Sequence, residues 1–159
     1  MQQFNDYAND HLAGSVAALE LLDRLIDDNE GKPLERFFRD LRKEIETDQE
    51  TLKELIAKLG EKESAVRKAG AWIAEKLSRA KIQLSKTGEG EMGLFLALEA
   101  LALGITGKRM LWRALAAAAE TVTQLRGPDY AALEARAVEQ CRRVETQRLE
   151  VARKVFGSE

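Results

Sequence analysis

The residues with the clearest potential for chemistry are three carboxylates on or beside apolar faces, Asp23, Asp48 and Glu99. Asp48 interrupts a heptad seam whose other members are apolar and recur at alternating steps of four and three: Leu34, Phe38, Leu41, Ile45, Leu52, Leu55 and Leu59. An acid in such a seam faces the interior of a helical bundle and needs a partner there. Hard cations prefer oxygen ligands, so these three acids are also the candidates for a carboxylate metal site.

Two interpretations of these acids stay open. In the first, Asp48 and Glu99 pair with Arg148 or another base, or reach a backbone or water partner, and form a structural polar layer. Arg148 fills a core register of the last predicted helix. In the second interpretation the acids hold a metal ion. The first is favoured, and it predicts that Arg148→Met destabilises the protein while adding Asp48→Leu recovers most of the loss.

Histidine and cysteine add little to these acids. The chain has one histidine, His11, and a lone imidazole offers a metal ion little without companions. The motif Glu-x-x-His therefore occurs nowhere in the chain. Cys141, the only cysteine, is predicted to be a small core residue, because no histidine can be placed beside it to activate the thiol. We predict no catalytic residue and no cofactor-binding residue.

Length and composition predict one all-α domain. The 159 residues are 45% apolar and 33% charged, with only two prolines, which favours long helices over sheet. Apolar periodicity predicts an antiparallel bundle of helices near residues 5–28, 33–59, 63–85, 91–125 and 129–155. Gly31, Gly60 and Gly127 are predicted to end helices. Gly104 and Gly107 fall inside the fourth helix, where such a pair is typical of close helix packing or a bend.

Charge and hydropathy predict a cytoplasmic protein that binds neither nucleic acid nor membranes. The net charge is −2, and the basic residues of 61–86 are interleaved with acids. Residues 94–105 are strongly apolar, but Glu99 interrupts them and Lys108 follows too soon for a membrane span of about 20 residues. The single cysteine excludes an intramolecular disulfide, and the N-terminus MQQFNDY has no features of a secretory leader.

The spacing within residues 34–60 also carries a family resemblance. The residues that match are Leu34, Phe38, Leu41, Ile45, Asp48, Leu52, Leu59 and Gly60. They resemble the second helix of the ferritin-like superfamily, most closely the small bacterial stress-associated bundles of the YciF type. The resemblance implies two antiparallel helix pairs joined by a crossover element, with inward Glu and Glu-x-x-His residues that hold two metal ions. Here the corresponding positions read Leu41, Ile45 and Asp48, then Ala102 and Ile105, then Cys141 and Val144.

Two classes of function follow. The first is a non-catalytic ferritin-like bundle that acts by self-association, as a homodimer, or by binding a protein partner. It is favoured because the fourth helix is apolar almost all round up to Trp112, as expected of a helix covered by another subunit. The alternative is a di-metal carboxylate protein that oxidises or stores iron, or protects against stress, with an atypical oxygen-ligand site. No cofactor is expected in the first class, whereas the second needs iron or manganese.

Overall fold

The computed structural model describes residues 2–59 and 90–157, and within these ranges it contains helices and no strand. The helices are α1 (Gln2–Asp28), α2 (Leu34–Leu59), α3 (Gly90–Ala119) and α4 (Tyr130–Gly157), with a short 3-10 helix at Thr123–Leu125. The predicted all-α class is therefore confirmed for the described residues. The helix predicted at 63–85 and the helix end predicted at Gly60 lie outside them.

The link between α1 and α2 is as short as the sequence predicted. Gly31 has a φ of 73°, a left-handed conformation that glycine adopts without strain, and its amide donates to Glu35 Oε2 over 2.8 Å. The buried Asn29 side chain donates to the Leu25 carbonyl at the end of α1. These bonds satisfy groups that the two helix ends leave unpaired, so the chain reverses within five residues and forms an antiparallel hairpin.

The predicted helix at 91–125 is too long at its C-terminal end, because α3 stops at Ala119. Thr121, Val122 and Thr123 are β-branched and disfavour a helix, and Val122 is extended. Arg126 folds back and donates hydrogen bonds to the Ala119 and Glu120 carbonyls, both over 3.0 Å. Hydrogen bonds from a basic side chain to the last carbonyl groups stabilise the end of a helix.

The four helices form two antiparallel pairs, α1 with α2 and α3 with α4, and α1 also packs on α3. Lys58 Nζ donates to the Arg126 carbonyl (3.0 Å), which places the end of α2 beside the end of α3. At the opposite end, a groove lined by Leu34, Gly90 and Val151 brings together the starts of α2 and α3 and the end of α4. Therefore α2 and α3 run in the same direction, and the chain enters α3 at the end opposite to where it leaves α2.

Buried apolar side chains form two clusters, and all four helices contribute to both. Members of the first, the upper cluster, include Leu22, Phe38, Leu98 and Val144. Members of the second, the lower cluster, include Leu12, Leu55, Trp112 and Leu133. The sequence predicted one core, but the structure divides it at the level of Asp48 and Gln140, which are both buried. The division arises because the inner faces of α2 and α4 carry these polar side chains midway along the bundle.

Candidate functional site

Asp48 is the centre of a polar layer that crosses the bundle between the two clusters. Its side chain is fully buried, and Lys108 Nζ from α3 donates to Oδ2 over 2.6 Å. Arg136 Nη2 from α4 donates to Oδ1. Gln140 Nε2, also from α4, donates to Oδ2 over 3.3 Å. Both oxygens of the buried carboxylate therefore carry charge-assisted hydrogen bonds, which are among the stronger ones in proteins.

The layer extends from Asp48 to the surface between α2 and α4. Gln140 is fully buried, and its amide accepts from Lys108 Nζ while donating to Glu44 Oε2 over 3.1 Å. Arg143 Nη2 donates to the same Glu44 oxygen over 2.6 Å. Glu44 lies one turn before Asp48 on α2, so the two carboxylates share Gln140 as a donor. We call Glu44, Asp48, Lys108, Arg136, Gln140 and Arg143 the polar layer.

The electrostatics of the polar layer are those of a cation-rich ion-pair network. Three basic groups, Lys108, Arg136 and Arg143, face two carboxylates, which leaves about one net positive charge. Burial lowers the pKa of Lys108 below the usual lysine value; the charge of Asp48 opposes this shift, and that of Arg136 adds to it. The ammonium group is held in the interior by Asp48 and Gln140, because an unpaired buried charge would be strongly unfavourable.

Asp48 does pair with bases, as predicted, but Arg148, the base named for it, is wrong. Arg148 donates to Glu99 Oε2 over 3.1 Å and to Glu145 at the surface of α4, and it makes no bond to Asp48. The partners of Asp48 are Lys108 and Arg136, while Glu99 does pair with Arg148 as predicted. The physical reason is that Arg148 lies two helical turns beyond Gln140 on α4, level with Glu99 rather than with Asp48.

The structure does not bring the three candidate metal ligands together. Asp23 pairs with Arg42 across the α1–α2 hairpin, over 2.5 Å, and it is more than half exposed. Asp48 pairs within the polar layer, and Glu99 pairs with Arg148. Within residues 2–59 and 90–157, no group of three or more histidine, cysteine or acidic residues has the geometry to hold a metal ion. Basic groups occupy both oxygens of Asp48, so this carboxylate offers no free oxygen for a metal ion in the described structure.

His11 and Cys141 also have ordinary surroundings. The His11 ring packs edge-on against Tyr7, with ring centroids 4.7 Å apart, and burial lowers its pKa while the charge of Asp10 opposes the shift. Cys141 is half-buried and its Sγ lies 3.7 Å from Thr106 Oγ1. Neither residue contacts the polar layer through a bond that the structure describes.

Of the six residues of the polar layer, the sequence analysis identified only Asp48, and Lys108 and Gln140 are the two missed residues that occupy core positions of their helices. Lys108 occupies a core position of α3, in a seam that alternates steps of three and four residues: Leu98, Leu101, Ile105, Lys108, Trp112 and Leu115. Counting that seam as was done for α2 identifies Lys108 from sequence alone. On α4 the predicted seam ran through Cys141, whereas the structure buries Gln140 fully and leaves Cys141 half-buried. A shift of one residue on α4 therefore hid the second residue.

A second candidate site is an apolar surface on α3 and α4. The exposed large apolar side chains of the described residues, apart from Tyr7 on α1, all lie on these two helices: Met92, Leu96, Leu103, Met110, Val138, Leu149 and Phe156. Leu103 is 69% exposed and Met110 63% exposed. Four of them follow one side of α3, opposite to the buried residues Leu98, Leu101 and Ile105. The predicted helix at 91–125 is thus apolar on both its inner and its outer side, and among the residues that the structure describes it is the inner side that is buried.

Val138, Leu149 and Phe156 recur at steps of eleven and seven residues and so share one side of α4, and α3 packs along α4, so we call the exposed sides of these two helices together the α3–α4 face. The Phe95 and Phe156 rings pack edge to face at 5.5 Å, and the Arg148 guanidinium lies 5.4 Å from the centre of the Phe95 ring. Nearer the middle, Thr106 contacts Cys141. α3 is also, within the described residues, long and apolar enough to cross a membrane by length and composition, a test that core helices of soluble proteins also pass.

No protein-family model, curated protein or solved structure matches this chain. The polar layer and the α3–α4 face are therefore the features of the described residues that bear on function.

Proposed function

We propose that this protein is a non-catalytic ferritin-like helical bundle that acts by self-association or by binding a protein partner through the α3–α4 face. The ferritin-like part is supported by the layout. Two antiparallel pairs are arranged so that α2 and α3 run in the same direction, which requires a long connection between the pairs. The role of the α3–α4 face as the interaction surface is supported by its exposed large apolar side chains.

The observation that carries the proposal is the concentration of exposed apolar side chains on one face. Soluble monomers scatter such residues singly, whereas a contiguous patch of several hundred Å² is typical of an interaction site. Seven large apolar side chains share the α3–α4 face, and Leu103 and Met110 are more than 60% exposed. Ala114 and Ala117 add small, exposed side chains to the α3 part of this face.

In this proposal the polar layer is structural. A buried, fully paired polar group can fix the register of packed helices, since any slip would leave charges unpaired. Asp48 ties α2 to both α3 and α4, and its two oxygens are occupied by protein donors. The layer therefore offers neither an open ligand position nor a nucleophile beside a base, which are what metal or covalent catalysis needs.

Sedimentation velocity from micromolar to near-millimolar concentration tests the acting surface. We expect the wild type to show a mass above that of the monomer, and Leu103→Glu to remain monomeric while keeping its helix content by circular dichroism. Tyr7→Glu is the matched control, because Tyr7 is a 39% exposed aromatic residue on α1, outside the α3–α4 face. A wild type that is monomeric throughout, and no less soluble than Leu103→Glu, would contradict the proposal.

Elemental analysis separates this proposal from the di-metal alternative. The protein is expressed in medium supplemented with iron and manganese, and we expect metal well below one equivalent per chain, because the layer is already cation-rich. The alternative predicts near-stoichiometric metal that is lost in Asp48→Asn or Glu99→Gln. That result would replace association by metal chemistry as the function.

A further inference from the structure

We propose that the occupant of the α3–α4 face is a second copy of this chain, which packs antiparallel about a two-fold axis near Thr106 and Gly107. This inference rests on the proposed function and adds the partner and its orientation. In such an interface α3 faces its own copy in reverse, so Leu103 lies opposite Met110 of the other copy and Leu96 lies opposite Ala117. Side-chain size and charge both change along the face, so that each end of the face complements the opposite end of the face on a second copy.

Side-chain size is distributed unevenly along the face. Toward the start of α3 the outward positions are large, with Met92, Leu96 and Leu103, whereas beyond the axis Ala114 and Ala117 are small and Met110 is the one large residue. A Cβ placed on Gly107 would meet nothing within 4 Å, so the space above it is open. Antiparallel packing sets Leu96 against Ala117, a large residue against a small one, which fills space well, while Leu103 and Met110 form two large-against-large contacts on either side of the axis. Parallel packing would instead set large against large and small against small.

Charge is distributed unevenly in the same sense. Where the first half of α3 meets α4, Arg148 bonds two carboxylates, Glu99 and Glu145, which leaves a negative excess. Where the second half of α3 meets α4, Glu134 is shared by two guanidinium groups, Arg109 and Arg113, which leaves a positive excess. In antiparallel packing the negative excess of one copy faces the positive excess of the other, and Glu99 of one copy lies near Arg113 of the other. Parallel packing would oppose like charges, which is unfavourable.

The size of the face also matches what a stable dimer needs. The segment from Met92 to Ala117 spans about 38 Å at about 1.5 Å per residue, and two adjacent helices are about 20 Å wide. The product is about 750 Å² per copy, close to the roughly 800 Å² that each partner contributes to a standard interface. α3 alone would supply only about half of this area, so the apolar residues of α4 are needed as well.

Charge exchange between copies tests the pairing of Glu99 with Arg113. We expect Glu99→Arg and Arg113→Glu each to weaken homodimerisation by about tenfold or more, because each variant opposes like charges twice. An equimolar mixture of the two variants should form a heterodimer about as tight as the wild type, since one of the two contacts is then the wild-type pair and the other is the same pair with its charges exchanged. Arg36→Glu is the control, because Arg36 is 91% exposed on α2 and lies outside the face. Circular dichroism at low concentration checks that each variant keeps the fold.

Cross-linking tests the orientation independently of charge. In a Cys141→Ser background, Thr106→Cys lies near the axis, whereas Ala117→Cys lies about 16 Å along α3 from it and about 30 Å from its copy. We expect a short bis-maleimide to join Thr106→Cys chains and not Ala117→Cys chains. A parallel dimer would join both variants.

The outcomes separate this inference from the function on which it rests. A dimer in which single charge variants are unaffected, or in which Ala117→Cys links, overturns the antiparallel arrangement and leaves association through the face intact. A wild type that is monomeric at every concentration overturns the inference, and one that is also no less soluble than Leu103→Glu overturns the proposed function as well. Binding to lipid vesicles that Leu103→Glu abolishes, without dimer formation in solution, would identify a membrane as the occupant and overturn the inference.

Discussion

Asp48 shows how one buried acid can join three helices. It receives hydrogen bonds from Lys108 on α3 and from Arg136 and Gln140 on α4, while its own backbone belongs to α2. A buried pair of this kind adds little net stability compared with well-packed apolar residues, but removing one member leaves the other uncompensated. Its contribution is therefore measured by coupling between substitutions rather than by one substitution alone.

We predict strong coupling between Asp48 and Lys108. Asp48→Leu should lower the free energy of unfolding by about 3–5 kcal/mol, because it leaves the ammonium of Lys108 buried with Gln140 as its remaining described partner. Adding Lys108→Met should recover most of that loss, since the 38% exposed Arg136 side chain can turn toward water. Urea denaturation of the two single variants and the double variant measures the coupling.

The control for this double-mutant cycle is the ion pair between Glu99 and Arg148, which was predicted from the sequence. Glu99 and Arg148 are bonded over 3.1 Å, but the Glu99 side chain is 46% exposed, so solvent screens their attraction. Arg148→Met and Glu99→Leu should therefore couple by about 1 kcal/mol or less. Additive effects of Asp48→Leu and Lys108→Met would show that the polar layer is not held by this pair.

His11 gives a prediction about pH. Burial lowers its pKa below the usual 6.5, so the folded protein binds this proton less tightly than the unfolded chain does. Its contribution to stability is therefore present above the unfolded-state pKa of 6.5 and is lost as the pH falls through the lower pKa of the folded state. We expect the free energy of unfolding to fall between about pH 7.5 and about pH 5.5, where few other side chains titrate, and the slope to flatten in His11→Gln. An equal slope in both proteins would contradict this assignment.

At the scale of the element, α3 is the helix with two different faces. Its inner seam is buried and carries Lys108, and its outer side contributes Leu103 and Met110 to the α3–α4 face. From the sequence, Gly104 and Gly107 were predicted to allow close helix packing or a bend. Among the described residues the structure shows neither, because α3 is one unbroken helix and a Cβ on either glycine would meet nothing within 4 Å. Within one chain, then, these glycines are not required for packing.

We predict that Gly104→Ala and Gly107→Ala each stabilise the monomer, by up to about 1 kcal/mol, because alanine has the higher helix propensity and reduces the freedom of the unfolded chain. Urea denaturation at low protein concentration measures this effect. Gly107→Ala should also weaken dimerisation, since Gly107 lies beside the proposed axis, whereas Gly104→Ala should not. Destabilisation by Gly104→Ala would show that this side of α3 is covered.

At the scale of the whole molecule, the polar layer divides the core without dividing the fold. Each of the four helices contributes side chains to both the upper and the lower cluster. One cluster cannot lose its packing without moving helices that also build the other. Cooperative unfolding of the described bundle is expected from this arrangement.

We predict that Leu22→Ala in the upper cluster and Leu115→Ala in the lower cluster each cost about 2–5 kcal/mol, because both side chains are buried. Each should shift a single transition, followed in parallel by circular dichroism and by the fluorescence of Trp112 in a Trp72→Phe background. Two separate transitions in either variant would show that the clusters unfold independently.

Much of the described architecture was predictable because it depends on local periodicity. The seam of α2 places Phe38, Leu41, Ile45, Asp48, Leu52 and Leu55 inside, and the structure buries all six. The end of α3 was less predictable, because a fold-back by Arg126 stabilises a stop that helix periodicity alone does not mark.

The sequence by itself determined that residues 2–59 and 90–157 form long helices, which residues of α2 face inward, and that Asp48 needs a partner, because the spacing of apolar residues within one helix decides these properties. Only the tertiary structure decided which base meets that need. Lys108 and Arg136 are 60 and 88 residues away from Asp48 along the chain, and the relative register of separate helices sets their positions. Arg136 and Arg148 are 12 residues apart on α4, about 18 Å at a rise of about 1.5 Å per residue, and nothing within a single helix fixes which of them lies level with Asp48.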